Sequence, residues 1–209
     1  MAHSDVTLEP MQAAALKTRS TPFTDQRIRL RVDWNTYKAL LAARGDAPSP
    51  RVAYFNGVME LMAPARTHET IAGLIGRLLE VWSEENDVLI ERTKSWTLED
   101  ESDEAGAEPD ESWVLGERPD AARPDLALEV VHKHGGLDKL NIYARLGVRE
   151  VWFWVDGKLS VHVLRGRRYA QATRSHLFKT LDVELLARFA RHASPARAPR
   201  LYRAALKRH

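Results

Sequence analysis

Two carboxylates and a lysine stand out by type and spacing. Asp110 closes the acidic turn Glu108-Pro109-Asp110, Glu129 sits inside the apolar run after Pro124-Asp125, and Lys139 opens a helix-like stretch after Gly135-Gly136. Asp110 begins one strand-like segment and Glu129 lies near the end of the next, so a hairpin turning through 116–124 brings both to one end of a sheet. Two anions a few Å apart repel, and a divalent cation removes that repulsion. Magnesium is the natural candidate, with manganese as a substitute, because it takes one or two carboxylates and keeps waters for a substrate phosphate. Such an ion polarises a phosphoryl oxygen and lowers the pKa of a bound water. Lys139 would then neutralise charge building on the phosphate or orient the attacking water. This is the residue set of a metal-dependent nuclease.

Each residue also has an ordinary reading. Asp110 suits a turn after Pro109, Glu129 a strand-end acid paired with an arginine, and Lys139 a solvent-facing helix position. Taken together they are harder to dismiss, since a glutamate buried without a partner in so apolar a segment costs several kcal/mol. Asp125 shares the strand face of Glu129 by alternation, but four strand residues separate them by roughly 13 Å, too far to chelate one ion. His68-Glu69 reads as a local helix cap, and Glu80 falls off the apolar stripe of its helix. His132 and His134 with Glu129 suggest zinc, but no His-Glu-x-x-His motif supports it. Trp96, Trp113, Trp152 and Trp154 invite base stacking, yet their strand positions favour core packing.

Positioning these groups requires a definite order of elements. A helical period covers 32–43, and 51–62 alternates around Asn56-Gly57, a hairpin signal. Thr67 suits an N-cap for a helix carrying Ile71, Leu74, Ile75, Leu78 and Trp82 on one face. Next come a long strand over 88–98, an exposed excursion over 99–106, and strands over 112–115 and 126–131. A helix over 137–146 capped by Gly147, a strand over 150–155, an Asp156-Gly157 turn into 158–164, a strand over 168–172 and a last helix over 183–189 complete the series. The middle order is helix, three strands, helix, strand. It predicts an α/β (α+β) fold, a mixed sheet packed between helices.

Composition narrows the setting. At 209 residues, 44% hydrophobic against 29% charged, the chain suits a single nuclease-like domain over 23–190 with a flexible arm over 1–22 and a basic tail over 191–209. Cysteine is absent, which excludes disulfides, thiolate metal sites and cysteine nucleophiles and suits a reducing cytoplasm. The first ten residues lack the order of a secretion signal, and no apolar run is long enough to span a bilayer. The net charge of +2 is too small to imply nucleic acid by itself. Its distribution is uneven, with acids from Glu99 to Glu111 and only bases after Glu184, so that a phosphate-attracting tail would lie near a cation-attracting site.

The motif residues carry a resemblance. The chain resembles the restriction-endonuclease-like PD-(D/E)XK superfamily, whose signature is Pro-Asp, a spacer, then an acid, any residue and lysine. More narrowly it resembles the Uma2 family of bacterial endonucleases over about 29–189, through Tyr54-Phe55-Asn56-Gly57-Val58-Met59-Glu60, Pro64 with His68-Glu69, Gly106-Ala107-Glu108-Pro109-Asp110, Arg123-Pro124-Asp125-Leu126-Ala127-Leu128-Glu129-Val130-Val131, Gly135-Gly136-Leu137-Asp138-Lys139-Leu140 and Gly147-Val148-Arg149-Glu150-Val151-Trp152. The resemblance implies that Asp110, Glu129 and the Val130 carbonyl hold the metal. It puts Val131 where the superfamily lysine belongs, leaving Lys139 as the substitute and Lys133 as its rival.

Three readings follow. The first is a magnesium-dependent endonuclease cutting DNA, with Asp110, Glu129 and Lys139 catalytic and a homodimer expected, in the manner of enzymes that cut both strands. The second is a catalytically weak nucleic-acid-binding protein that keeps the nuclease fold and uses the tail between Arg188 and Arg208. The third is an interaction module on the same fold.

Overall fold

The computed structural model describes residues 24–131 and 137–208. The arm expected over 1–22 and the His132-Lys133-His134 run lie outside the described residues. One sheet is antiparallel and contains β1 (Gln26–Arg31), β2 (Arg51–Phe55), β3 (Val58–Ala63), β5 (Leu98–Asp100) and β6 (Ala105–Ala107) in the order β1-β3-β2-β6-β5. The other contains β4 (Ile90–Arg92), β7 (Glu111–Leu115), β8 (Leu126–Val131), β9 (Glu150–Val155), β10 (Lys158–Arg165) and β11 (Arg168–Ala172) in the order β11-β10-β9-β8-β7-β4. Within it only β8 and β9 run parallel, and α3 (Lys139–Leu146) crosses between them. The remaining helices are α1 (Trp34–Arg44), α2 (Arg66–Glu85), α4 (Val183–Ala190) and α5 (Ala198–Leu206).

Alternation along β8 decides which group meets which layer. Leu126, Leu128 and Val130 face α2, α4 and α5, joining Leu74, Ile75, Leu78, Trp82, Trp113 and Trp152 in the larger core. Ala127 faces the opposite way, into a second core with Ile142, Tyr143 and Leu146 of α3 and Ala53 and Ala107 of the first sheet. Glu129 shares that second face, so an acid points between α3 and the antiparallel sheet. Trp113, Trp152 and Trp154 are core residues and offer no stacking surface.

The local turn signals held. Asn56 and Gly57 have φ of 51° and 73°, the pair of positive values that a two-residue hairpin turn needs. Four expectations need correction. The strand over 88–98 is broken at Lys94, φ 56°, so that β4 joins one sheet and β5 the other; alternation alone carries no mark of a change of sheet. The excursion over 99–106 contains the β5–β6 pairing. Thr67 is inside α2, whose N-cap is Ala65, and the Ala65 N–H donates to Asp25 Oδ1 at 2.9 Å, a tertiary cap. The last helix is not α4, because much of the presumed tail forms α5, with Tyr202 buried. Alanine favours helix, and Ala198, Tyr202 and Leu206 make a narrow apolar stripe that the arginine bias obscures.

Candidate active site

The β7–β8 pairing sets the two acids side by side. Asp110 stands one residue ahead of β7, and its N–H donates to the Leu128 carbonyl at 3.1 Å, extending the ladder. Its Oδ2 accepts the Val130 N–H at 2.6 Å. In an extended strand the N–H and C=O of one residue leave on the same edge, so the Val130 carbonyl also points toward Asp110. On α3 the Asp138 side chain caps the helix and starts it one residue before Lys139. Lys139 and Tyr143, one turn apart, therefore share a face. Lys139 Nζ donates to Glu129 Oε1 at 2.9 Å, and the Tyr143 hydroxyl donates to the same oxygen.

Two further side chains, Arg51 and His68, reach Asp110. Arg51 of β2 donates through Nη1 to Asp110 Oδ1 and through Nη2 to Glu69 at 2.7 Å. His68 of α2 places Nε2 2.7 Å from Asp110 Oδ2 and Nδ1 3.1 Å from Asp25. Three elements from different layers thus meet at one carboxylate.

The two acids are driven in opposite directions. Burial would raise Asp110, but the His68 hydrogen bond, the His68 and Arg51 charges and the Val130 N–H outweigh it and hold the carboxyl below the usual range. Glu129 is pushed up, first by burial and then by the Asp110 charge, with Lys139 and Tyr143 offsetting only part. His68 loses basicity through burial but gains more from Asp110 and Asp25, and ends raised to about 9. Tyr143 is driven well above its ordinary value by burial and by Glu129, so its hydroxyl stays a donor. Two neighbouring carboxyls with divergent proton affinities are a common arrangement in hydrolytic centres.

Asp110, Glu129 and Lys139 are thus brought together. Asp125 is not among them, because Arg118, Arg149 at 3.0 Å and the Leu115 N–H at 2.8 Å hold it elsewhere along the strand. Glu80 and the buried Glu111 are both engaged by Arg92, whose guanidinium lies so close over α2 that a Cβ on Gly76 would meet it at 2.9 Å. The sequence reading missed Arg51, Tyr143 and Asp25, and took His68 for a local cap. The Lys139–Tyr143 spacing was a usable signal; nothing local tied Arg51 or Asp25 to a site so distant in the chain. Arg203 of the basic tail is not beside this cluster: it pairs with Glu84 and Glu85, roughly 24 Å along α2 from His68.

Among the described residues no three His, Cys, Asp or Glu side chains form a metal cage. The donor set nevertheless fits a magnesium-type ion, which needs only one or two carboxylates and a carbonyl and retains its waters. The Asp110 charge raises the proton affinity of Glu129, a repulsion that a cation between them would relieve. Arg51 now supplies positive charge to Asp110, and its other contact, Glu69, is 50% exposed.

Comparisons with known proteins agree with this architecture. A crystal structure from Anabaena variabilis ATCC 29413, described as a putative nuclease belonging to DUF820, matches with a TM-score of 0.50 and 14% identity over 76% of this chain and 99% of that one. At that identity the likeness speaks for the fold. No curated protein matches the sequence. Residues 34–194, which include every residue of the cluster except Asp25, match a family described as putative restriction endonuclease. The chain belongs to the Uma2 family.

Proposed function

We propose that the protein is a divalent-cation-dependent endonuclease that hydrolyses DNA phosphodiester bonds at the Asp110–Glu129 cluster. Family membership supports nuclease activity in general; the metal, the substrate and the residue roles are this proposal. The observation that carries it is the convergence of two buried, oppositely perturbed carboxyls with a lysine on one of them.

Asp110, Glu129 and the Val130 carbonyl would hold Mg2+ or Mn2+, which when bound supplies Lewis acidity toward the phosphate and a more acidic water. Arg51, which contacts both Asp110 and Glu69, would keep Glu69 as its partner with an ion at Asp110. Lys139 orients the attacking water and offsets charge on the phosphate. The water oxygen forms the new bond to phosphorus, the bridging P–O bond breaks, and solvent receives one proton and returns one to the leaving oxygen. His68 keeps Asp110 ionised and fixed in direction.

Plasmid nicking tests this directly. Cleavage should need Mg2+ or Mn2+, stop with chelator, and fall by about a hundredfold or more in Asp110→Asn and Glu129→Gln. Calorimetric titration of Mg2+ into wild type and an Asp110→Ala, Glu129→Ala double variant should give heat only in the former; equal heats would refute the ligands. One observation favours a second reading, a nucleic-acid-binding protein of little activity: both oxygens of Asp110 already have cationic partners. In that case wild type would bind DNA but show neither magnesium heat nor nicking.

A further inference from the structure

β1 is an edge strand, and its register with β3 puts Arg27, Arg29 and Arg31 on a single face. Residues two apart on a strand are spaced roughly 6.6 Å, so the three make a row about 13 Å long. Arg51 belongs to that face too, since Arg27 and Arg51 flank Met62 from either side of β3. A chain of contacts joins the row to the cluster. Arg27 is 3.9 Å from Asp25, Asp25 is 3.1 Å from His68 Nδ1, and His68 Nε2 is 2.7 Å from Asp110.

Among the described residues the row sets three arginines against Glu60 and Asp25. Glu60 accepts from Arg27 at 3.0 Å and from Arg29 at 2.8 Å, so one buried acid aligns two arginines. Asp25 is shared with His68, and Arg29 and Arg31 are exposed. A structural ion pair for Glu60 would need a single arginine. An ordered surplus of guanidinium groups, which bind phosphate oxygens in a bidentate manner, suits a polyphosphate chain.

We propose that Arg27, Arg29 and Arg31 form a track for the phosphate backbone of duplex DNA and lead it to the Asp110–Glu129 cluster. This rests on the nuclease reading above and assigns its substrate-binding surface. Arg203 of α5 is placed too far along α2 to serve the same cluster.

The test is fluorescence anisotropy of a labelled DNA duplex, with chelator present to prevent turnover, over a range of salt concentrations. The Arg27→Ala, Arg29→Ala, Arg31→Ala variant should bind at least about tenfold more weakly in low salt, with the slope of log affinity against log salt reduced by about 2 to 3. The loss should be similar for unrelated sequences. Because the triple variant leaves Glu60 without its partners, two milder changes accompany it. Arg31→Glu should weaken binding several-fold, and Glu60→Gln should tighten it several-fold by removing the acid that Arg27 and Arg29 share. A merely structural row would leave both at wild-type affinity, and that result overturns the proposal, as does an Arg200→Ala, Arg208→Ala variant that accounts for the whole salt slope. With binding read in chelator, failure of the track leaves metal-dependent nicking by Asp110 and Glu129 standing. Failure of nicking leaves the binding comparison intact.

Discussion

Glu129 is held in a place that suits its neutral form, since burial and the Asp110 charge both raise its proton affinity. A group whose pKa is raised on folding loses stability as pH rises through the folded value. Glu129→Gln should therefore raise the melting temperature of the cation-free protein by a few °C at neutral pH while abolishing nicking, a gain that differential scanning fluorimetry would detect. His68 gives the complementary case. Its pKa rises from 6.5 unfolded to about 9 folded, so its stabilisation is complete below about pH 6.5 and disappears as pH climbs through 9. The melting-temperature gap between wild type and His68→Gln should be widest near pH 6 and shrink markedly by pH 9.5. Asp110, held low, contributes in the other direction and loses its share only in acid. At this scale Asp110, Glu129 and Lys139 were legible because the motif spacing is local to adjoining elements. Arg51, His68 and Asp25 were not, because their meaning comes from contacts across the fold.

Among the elements, α3 carries the most for the site because Lys139 and Tyr143 both reach Glu129 from it. Its end is set by Gly147 at φ 70°, where a Cβ would also collide with the Arg123 guanidinium that donates to the Leu146 carbonyl at 3.0 Å. Gly147→Ala should cost about 1–2 kcal/mol, a drop of roughly 2–8 °C in melting temperature, and reduce nicking beyond any loss of folded protein. Elements with local punctuation were legible: the Asn56-Gly57 hairpin, β8 and β9. The exchange of sheets at Lys94 was not, since a strand pattern reports which side chains are buried and not against which neighbour the backbone pairs. α5 was hidden for a related reason, its apolar stripe being short and set among arginines.

For the whole molecule, the decisive feature is the company Asp110 keeps. Arg51 belongs to the antiparallel sheet, His68 to the long helix and the Val130 amide to the mixed sheet, so a single carboxylate bolts three layers that otherwise meet through separate cores. Removing its charge without changing its size should loosen the seam while leaving each layer's own apolar packing in place. Wild type should then absorb heat in one cooperative event, and Asp110→Asn in two, the smaller antiparallel layer melting first. A single sharp endotherm in the variant would show that apolar contact alone couples the layers.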